Sequence, residues 1–219
     1  MSRHAIRRAA RSATRACALA ATLLALAGCG ILPKRETLSL YRPEPAIAGE
    51  SGTVGPRLRW QLQIARPHAD AAYDTARILV RPRPGELQVY KGAAWTQPAP
   101  DLVHDILLRA FVDSARFAGV ARRGEGIAAD YELLLDLRRF ESDYADGDRP
   151  RARIELGATL VHNADNRVVA NRVFAADMPA DAGDVARVNR AFEQGLGTIA
   201  SQLVGWTAEE GQRDAARKR

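Results

Sequence analysis

The sequence predicts an α+β fold, in which an antiparallel or mixed sheet carries two amphipathic helices on one of its faces. Several segments alternate between apolar and polar residues, which is the two-residue period of a half-buried strand. Two longer segments repeat apolar residues every three or four positions, as an amphipathic helix does. Pro, Gly, Asn and Asp separate these segments, so we expect turns between them.

The first 28 residues are predicted to be a signal peptide, followed by a lipid-modified Cys29. Its apolar run, Ala16 to Gly28, is too short for the roughly 20 helical residues that a bilayer core requires. The run ends in Leu-Ala-Gly-Cys, which resembles the lipobox of bacterial lipoproteins, with cleavage between Gly28 and Cys29. Three acyl groups on the cysteine would anchor it lastingly. The alternative is an ordinary secretory signal with an incidental cysteine. Five arginines precede the run: Arg3, Arg7, Arg8, Arg11 and Arg15.

The charge balance and the cysteine content exclude some classes of partner and of stabilising bond. The chain has 32 basic residues (Lys and Arg) against 26 acidic ones, but five arginines leave with the signal peptide, so 27 face 26. These charges are interspersed, which argues against a nucleic-acid partner. Cys17 also leaves and Cys29 carries the lipid, so the mature chain can form no internal disulfide and depends on its hydrophobic core.

Residues 29–56 are rich in Pro and Gly and are predicted to form a tether, interrupted by one short edge strand at Glu36 to Tyr41. An exposed edge strand leaves self-association into a homo-oligomer open. The compact domain is predicted to cover residues 57–207. It begins with an alternating strand from Leu58 to Ile64, followed by a hairpin of two strands, 76–81 and 86–90, joined by a Pro-Gly turn.

The period then changes to that of a helix, which is predicted to start near Pro98 or Asp101 and to stop at Gly119. Three strands follow, at 130–144, 151–162 and 167–177, joined by turns that suit antiparallel hairpins. A long helix capped by Asp184 closes the domain. The glycines at 195 and 197 would let it approach the sheet closely. Residues 208–219 are predicted to be a charged tail, either a solvated helix end or disordered.

The sequence contains no pattern typical of a catalytic or metal site. The three histidines after the predicted signal peptide, His68, His104 and His162, lack the spacing of a ligand pair. The acidic residues Glu141, Asp143, Asp146 and Asp148 do not follow calcium-loop spacing, and a charged hairpin turn is the favoured interpretation. A nucleophile and base pair is also missing, which argues against an envelope hydrolase. We therefore expect no enzyme activity, no metal and no cofactor.

The order of elements resembles that of the ABC-type transport auxiliary lipoprotein family. The resemblance depends on the lipobox, the strand Thr37 to Tyr41, the stretch Leu87 to Pro98 before an amphipathic helix, the three-strand meander and the closing helix. It implies an auxiliary subunit that partners the MCE-domain protein of an Mce-type transporter and helps to move phospholipid between the two membranes. Gly30 is not the Asp that retains lipoproteins in the inner membrane, so we expect attachment to the periplasmic face of the outer membrane.

A different class of function stays open, namely a lipoprotein that assists outer-membrane assembly or binds envelope polysaccharide without a transporter. For the partner contact, the sequence indicates Tyr90 and Trp95, which fall in a Gly/Ala/Pro stretch predicted to be a loop. Aromatic residues are frequent anchors of interfaces. The alternative for Trp95 is that it folds back over the start of the following helix, and the sequence favours neither.

Overall fold

The computed structural model describes residues 37–47, 57–145 and 147–217. The predicted signal peptide, Gly28 and Cys29 lie outside these residues. The described parts of the chain form nine strands and two helices, which confirms the α+β fold, and none of those helices is long and apolar enough to cross a membrane. In chain order the elements are β1 (Ser39–Tyr41), β2 (Gln61–Ile64), β3 (His68–Ala69), β4 (Arg77–Arg81), β5 (Gln88–Trp95), α1 (Ala99–Asp113), β6 (Gly119–Arg122), β7 (Tyr131–Asp143), β8 (Arg151–His162), β9 (Arg167–Pro179) and α2 (Val185–Arg217).

The strands form one mixed sheet organised around β7. One edge of β7 pairs with β8 in antiparallel fashion, from Tyr131 opposite His162 to Asp143 opposite Arg151. The other edge pairs in parallel with β2, β3 and β4 in turn, so three short strands share one long neighbour. The sheet extends outward through β6 beside β2, through β5 and β1 beside β4, and through β9 beside β8.

The predicted meander is confirmed closely in β7, β8 and β9. Alternate residues of β8 face the core, as the sequence pattern indicated, and five of them are buried: Ala152, Ile154, Leu156, Ala158 and Leu160. Leu133 lies opposite Leu160 and Leu137 opposite Leu156, so the leucines of neighbouring strands meet on the same face. This face receives the helices.

Helix α1 begins at the prolines, one of the two predicted starts, and ends earlier than the predicted stop at Gly119. Its N-cap is Pro98, without a side-chain capping bond, and it stops at Asp113, whereas Gly119 already belongs to β6. Asp101 does not cap the helix; its carboxylate accepts from the guanidinium of Arg66, with Nε at 2.6 Å. The predicted apolar face is buried, including Val103, Ile106, Leu107, Ala110 and Phe111.

Helix α2 begins where it was predicted to begin, since the backbone N–H of Arg187 donates to Asp184 Oδ1 at 3.0 Å. Its end differs, because the helix runs to Arg217 through most of the segment assigned to a charged tail. Asp214 is buried there and accepts from Tyr131 Oη at 3.0 Å and from Arg167 Nη2 at 2.8 Å. A buried carboxylate is invisible to a search for apolar periodicity, so the sequence analysis ended the domain too early.

The two predicted close-approach glycines of α2 have different neighbours. A Cβ added to Gly195 would lie 3.0 Å from Ile154 Cδ1 and 3.3 Å from Ala176 Cβ, so this glycine does let the helix approach the sheet. A Cβ on Gly197 would instead lie 2.6 Å from the carbonyl oxygen of Ala46, in the segment that follows β1. Gly197 therefore makes room for the N-terminal part of the domain.

Phe192 joins the closing helix to the centre of the core. Its ring centroid lies 4.6 Å from that of Phe140 and 5.2 Å from that of Trp95, and the side chain is fully buried. We expect Phe192→Ala to lower the free energy of unfolding by about 3 kcal/mol or more, as truncation of a buried aromatic does. Chemical denaturation of the variant measures this. Val112→Ala, on the exposed side of α1, is the control and should change stability little. Equal effects of the two changes would contradict this packing.

Candidate functional site

Trp95 does not lie in a loop. It is the last residue of β5, only 1% exposed, and its ring centroid lies 5.5 Å from that of Phe140. The interpretation in which Trp95 docks a partner from the surface is therefore wrong, because the strand continues through residues predicted to be irregular and turns the indole into the core. Gly92, with φ of +68°, interrupts the regular alternation of that strand, which explains why its full length was missed.

Tyr90 lies half-buried in an open cleft at one end of the sheet, which we name the Tyr90 cleft. The cleft has a volume of about 690 Å³ and lies between β4, β5 and the turn that follows β7. Its walls include Val80, Gln88, Tyr90, Lys91, Tyr144 and Asp148. Among the candidate residues of the sequence, Tyr90 is the one that reaches a surface depression.

The base of the Tyr90 cleft is a group of hydroxyls. Tyr90 Oη lies 3.1 Å from Ser142 Oγ and 3.3 Å from Tyr144 Oη, so the three form a hydrogen-bonded row. Burial raises the pKa of Tyr90 well above its ordinary value, and the phenol is therefore neutral throughout the physiological range. The base of the cleft can donate or accept hydrogen bonds but offers no charge.

Two exposed apolar residues lie at or next to this cleft. Val89, in its wall, is 41% exposed, and Leu87, which directly precedes the wall residue Gln88 in the chain, is 43% exposed. Apolar side chains around a few neutral hydrogen-bonding groups are typical of protein interfaces, where the polar groups fix orientation. This composition suits a protein segment better than a charged small molecule.

A buried ionic network lies on the other face of the same strand end. Because β7 alternates, the fully buried Ser142 points toward Tyr90, while Glu141 and Asp143 point to the opposite face. Glu141 is fully buried and accepts from Arg139 Nη2 at 2.6 Å and from Tyr73 Oη at 2.7 Å. Burial, followed by this bond to Glu141, raises the pKa of Tyr73, which therefore stays a neutral donor. Arg81 approaches Glu141 at 3.7 Å from the neighbouring strand β4.

Asp143 connects this network to the wall of the Tyr90 cleft. Its Oδ2 lies 3.0 Å from Arg139 Nη2 and 3.4 Å from Arg153 Nη1, and its Oδ1 accepts from the backbone N–H of Ala145 at 2.7 Å. The last bond fixes the start of the turn that carries Tyr144. The ionic network therefore positions one side of the cleft, although it does not open into it.

The interpretation of the acidic stretch as a charged hairpin turn is thus wrong for its first two members. Glu141 and Asp143 belong to β7 and form ion pairs with arginines of β7 and of its neighbouring strands. Asp146 lies outside the described residues. In the described ranges, no group of three or more acidic, histidine or cysteine side chains is arranged to hold a metal ion. A sequence signal for the network did exist, because Arg139, Glu141 and Asp143 alternate along one strand and two arginines alternate on the next.

The three described histidines each have a separate structural environment. His104 is buried in α1, with Nε2 3.1 Å from the carbonyl oxygen of Ile64. His162 Nδ1 lies 2.7 Å from Asp165 Oδ1 in the β8–β9 turn, and His68 faces Asp136 across the β3–β7 pair at 3.6 Å. These contacts hold local structure together and bring no two histidines to a common site.

The chain is similar to a known protein family and to several solved structures. The family model described as the ABC-type transport auxiliary lipoprotein component matches residues 40–204. The crystal structure of protein XCC0632 from Xanthomonas campestris, of the family designated DUF330, shares 47% identity over 81% of this chain and 99% of that one, with a TM-score of 0.77. A further crystal structure, of an uncharacterised protein, is 14% identical with a TM-score of 0.58 over 80% of this chain and 99% of its own, and supports the fold alone.

A curated relative extends the comparison. The uncharacterised protein bll6063 of Bradyrhizobium diazoefficiens is 29% identical over 182 residues, which cover 83% of this chain and 47% of the relative. The chain therefore spans about half the length of the curated relative that it matches.

The ionic network predicts a specific stability effect. Glu141→Gln would remove the charge that compensates Arg139 in a buried position, and we expect a loss of about 3 kcal/mol in the free energy of unfolding. The matched control is Glu155→Gln on the adjacent strand, where a partly solvated carboxylate lies 3.6 Å from Arg138 and the expected loss is below about 1 kcal/mol. Denaturant titration of both variants measures the difference. Similar small losses would mean that the network does not stabilise the strand end.

Proposed function

The chain belongs to the ABC-type transport auxiliary lipoprotein family, and from this premise we propose that it is a membrane-anchored, non-enzymatic scaffold for the MCE-domain subunit of a lipid transporter. The observation that carries the proposal is the family match, which extends from β1 to the second half of α2. It supports a role as an auxiliary transport lipoprotein. The MCE-domain partner and phospholipid as the transported species are the finer parts of the proposal, and they follow from the sequence resemblance.

Anchoring in this proposal depends on Cys29. The lipobox of the sequence would deliver this cysteine to the enzymes that acylate it, and the following Gly30 favours the outer membrane over retention in the inner membrane. An acylated N-terminus would hold the domain at the periplasmic face of that membrane without any spanning segment.

Docking in this proposal uses the Tyr90 cleft. The exposed apolar side chains of Leu87 and Val89 would exclude water from the contact. The hydroxyls of Tyr90 and Tyr144, held by the buried Ser142, would receive polar groups of the partner. The ionic network behind Asp143 would keep the cleft in one shape before the partner arrives, which reduces the ordering cost of binding. The domain would thereby bring the end of a lipid conduit to the membrane.

The lipid anchor is tested by replacing Cys29, the residue that would carry the acyl groups. Cys29→Ala removes the thiol that would carry the acyl groups, and we expect the protein to move from the membrane fraction to the soluble periplasmic fraction. Membrane fractionation with detection of the protein measures this, and Ser39→Ala serves as the control that should stay with the membrane. A Cys29→Ala protein that still sediments with outer membranes would rule out the lipid anchor.

Docking is tested at the border of the cleft. The double change Leu87→Asp and Val89→Asp places two charges where an apolar contact is expected, and we predict at least a tenfold loss of affinity for the MCE-domain protein of the same genome, corresponding to about 1.4 kcal/mol. Surface plasmon resonance with the purified partner measures it.

The matched control for docking is Val168→Asp with Val173→Asp, two exposed valines on the opposite edge strand β9. All variants should melt within a few degrees of wild type, because none of these side chains is buried. Equal losses of affinity in both pairs, or retained binding in the cleft variant, would place the partner elsewhere.

A further inference from the structure

The edge strand β1 and the residue directly before it present two leucines to solvent. Leu38 is 59% exposed and Leu40 is 61% exposed, and these are the largest exposures among the bulky apolar residues of the described chain. β1 is also the last strand on its side of the sheet, so its outer backbone edge has no neighbouring strand within the described residues. An apolar edge of this kind is normally covered or charged.

The segment that carries the two exposed leucines is held in place by backbone hydrogen bonds. β1 pairs with β5 from Ser39 opposite Ala93 to Tyr41 opposite Trp95, and the N–H of Thr96 donates to the carbonyl of Tyr41 at 3.0 Å. The chain after β1 is held against α2, because the N–H of Glu44 donates to Glu193 Oε1 at 3.2 Å. The leucines therefore face solvent in the folded domain.

Cations accompany the leucines. The strand register places Leu40, Ala94 and Arg77 in one row across β1, β5 and β4, and Arg42 follows directly after the strand. Arg77 and Arg42 are both exposed, and within the described residues neither forms an ion pair. Exposed leucines bordered by unpaired cations match the chemistry of an anionic lipid surface, where acyl chains lie beneath phosphate groups.

The covalent chain limits how far this edge can be from the anchor. Leu38 is the ninth residue after Cys29, and a fully extended chain of nine steps spans at most about 30 Å. A tether this short gives a high effective concentration, so even a weak contact with the bilayer would be populated.

We infer that the β1 edge, through Leu38 and Leu40 with Arg42 and Arg77, rests on the surface of the bilayer in which the acyl chains of Cys29 are embedded. The inference rests on the proposed function, since it needs an acylated Cys29. The contact would fix the orientation of the domain. Leu40 lies opposite Ala94, about 17 Å along β5 from Val89 at the rise of a strand, so the Val89 side of the Tyr90 cleft would stay clear of the lipid.

The experiment uses the full lipidated protein in vesicles of phosphatidylethanolamine and phosphatidylglycerol. Acylation blocks Cys29 and cleavage removes Cys17, so a cysteine introduced by Ser39→Cys is the single reactive thiol for an environment-sensitive fluorophore. We expect the emission of this fluorophore to shift to shorter wavelength. We also expect a nitroxide-labelled phospholipid to quench it at least threefold more than the same fluorophore at Val112→Cys, on the exposed side of α1. Changing Leu38 and Leu40 to Ser should reduce that quenching to the level of Val112→Cys, whereas changing Val168 and Val173 to Ser should not.

Flotation of the vesicles separates the two proposals. Protein that floats, but whose fluorophores at positions 39 and 112 are quenched equally, keeps the anchor and overturns the β1 contact. Protein that does not float overturns the anchor and the contact together. A shifted emission at position 39 that persists in detergent, depends on protein concentration and is not quenched by the nitroxide lipid would show that a second copy covers the edge, and would also overturn the inference.

Discussion

The architecture depends on the pairing of β7 along both of its edges. One edge is occupied over its whole length by β8, and the other is shared by three short strands that the chain contributes in succession. Removing β7 would leave β2, β3 and β4 without a common neighbour. The hydrophobic face of this strand and of β8 then fixes where the helices can lie, because the buried leucines and Phe140 form the surface on which α2 packs.

The same dependence explains the ionic network at the end of β7. The strand continues past its last apolar residue, Phe140, and its outward positions there are still covered by neighbouring side chains. Carboxylates in such a place are tolerated because arginines of β4, β7 and β8 compensate them. A buried ion pair adds little to stability relative to a well-packed apolar group, but a wrong register would leave a charge unpaired. The network therefore favours one register of β7 against both of its neighbours, and with it one shape of the Tyr90 cleft.

Sequence periodicity was sufficient for elements with one apolar face, such as β7, β8, β9 and the buried stripe of both helices. Sequence periodicity did not identify segments in which the buried side chains are polar, or in which buried positions do not recur at a regular spacing. The last turns of α2 depend on Asp214, the end of β5 on small residues around Gly92, and β3 is only two residues long. Tyr90 could be selected from the sequence because it is an aromatic residue in a distinctive stretch. Ser142 and Tyr144 could not, since they reach Tyr90 only through the pairing of β4 with β7, 52 and 54 residues later in the chain.

The order of the strands along the chain has a kinetic consequence. The six strands from β1 to β6 precede β7, yet three of them, β2, β3 and β4, have β7 as the neighbour that they share. Pairings between distant segments form slowly, whereas β7, β8 and β9 are joined by short turns and can associate rapidly. The backbone hydrogen-bonding groups of β2, β3 and β4 therefore stay without their β7 partner until the meander has formed. We expect truncated chains that end before β7 to aggregate and chains that extend through residue 179 to fold, so the C-terminal meander acts as the template on which the earlier half assembles.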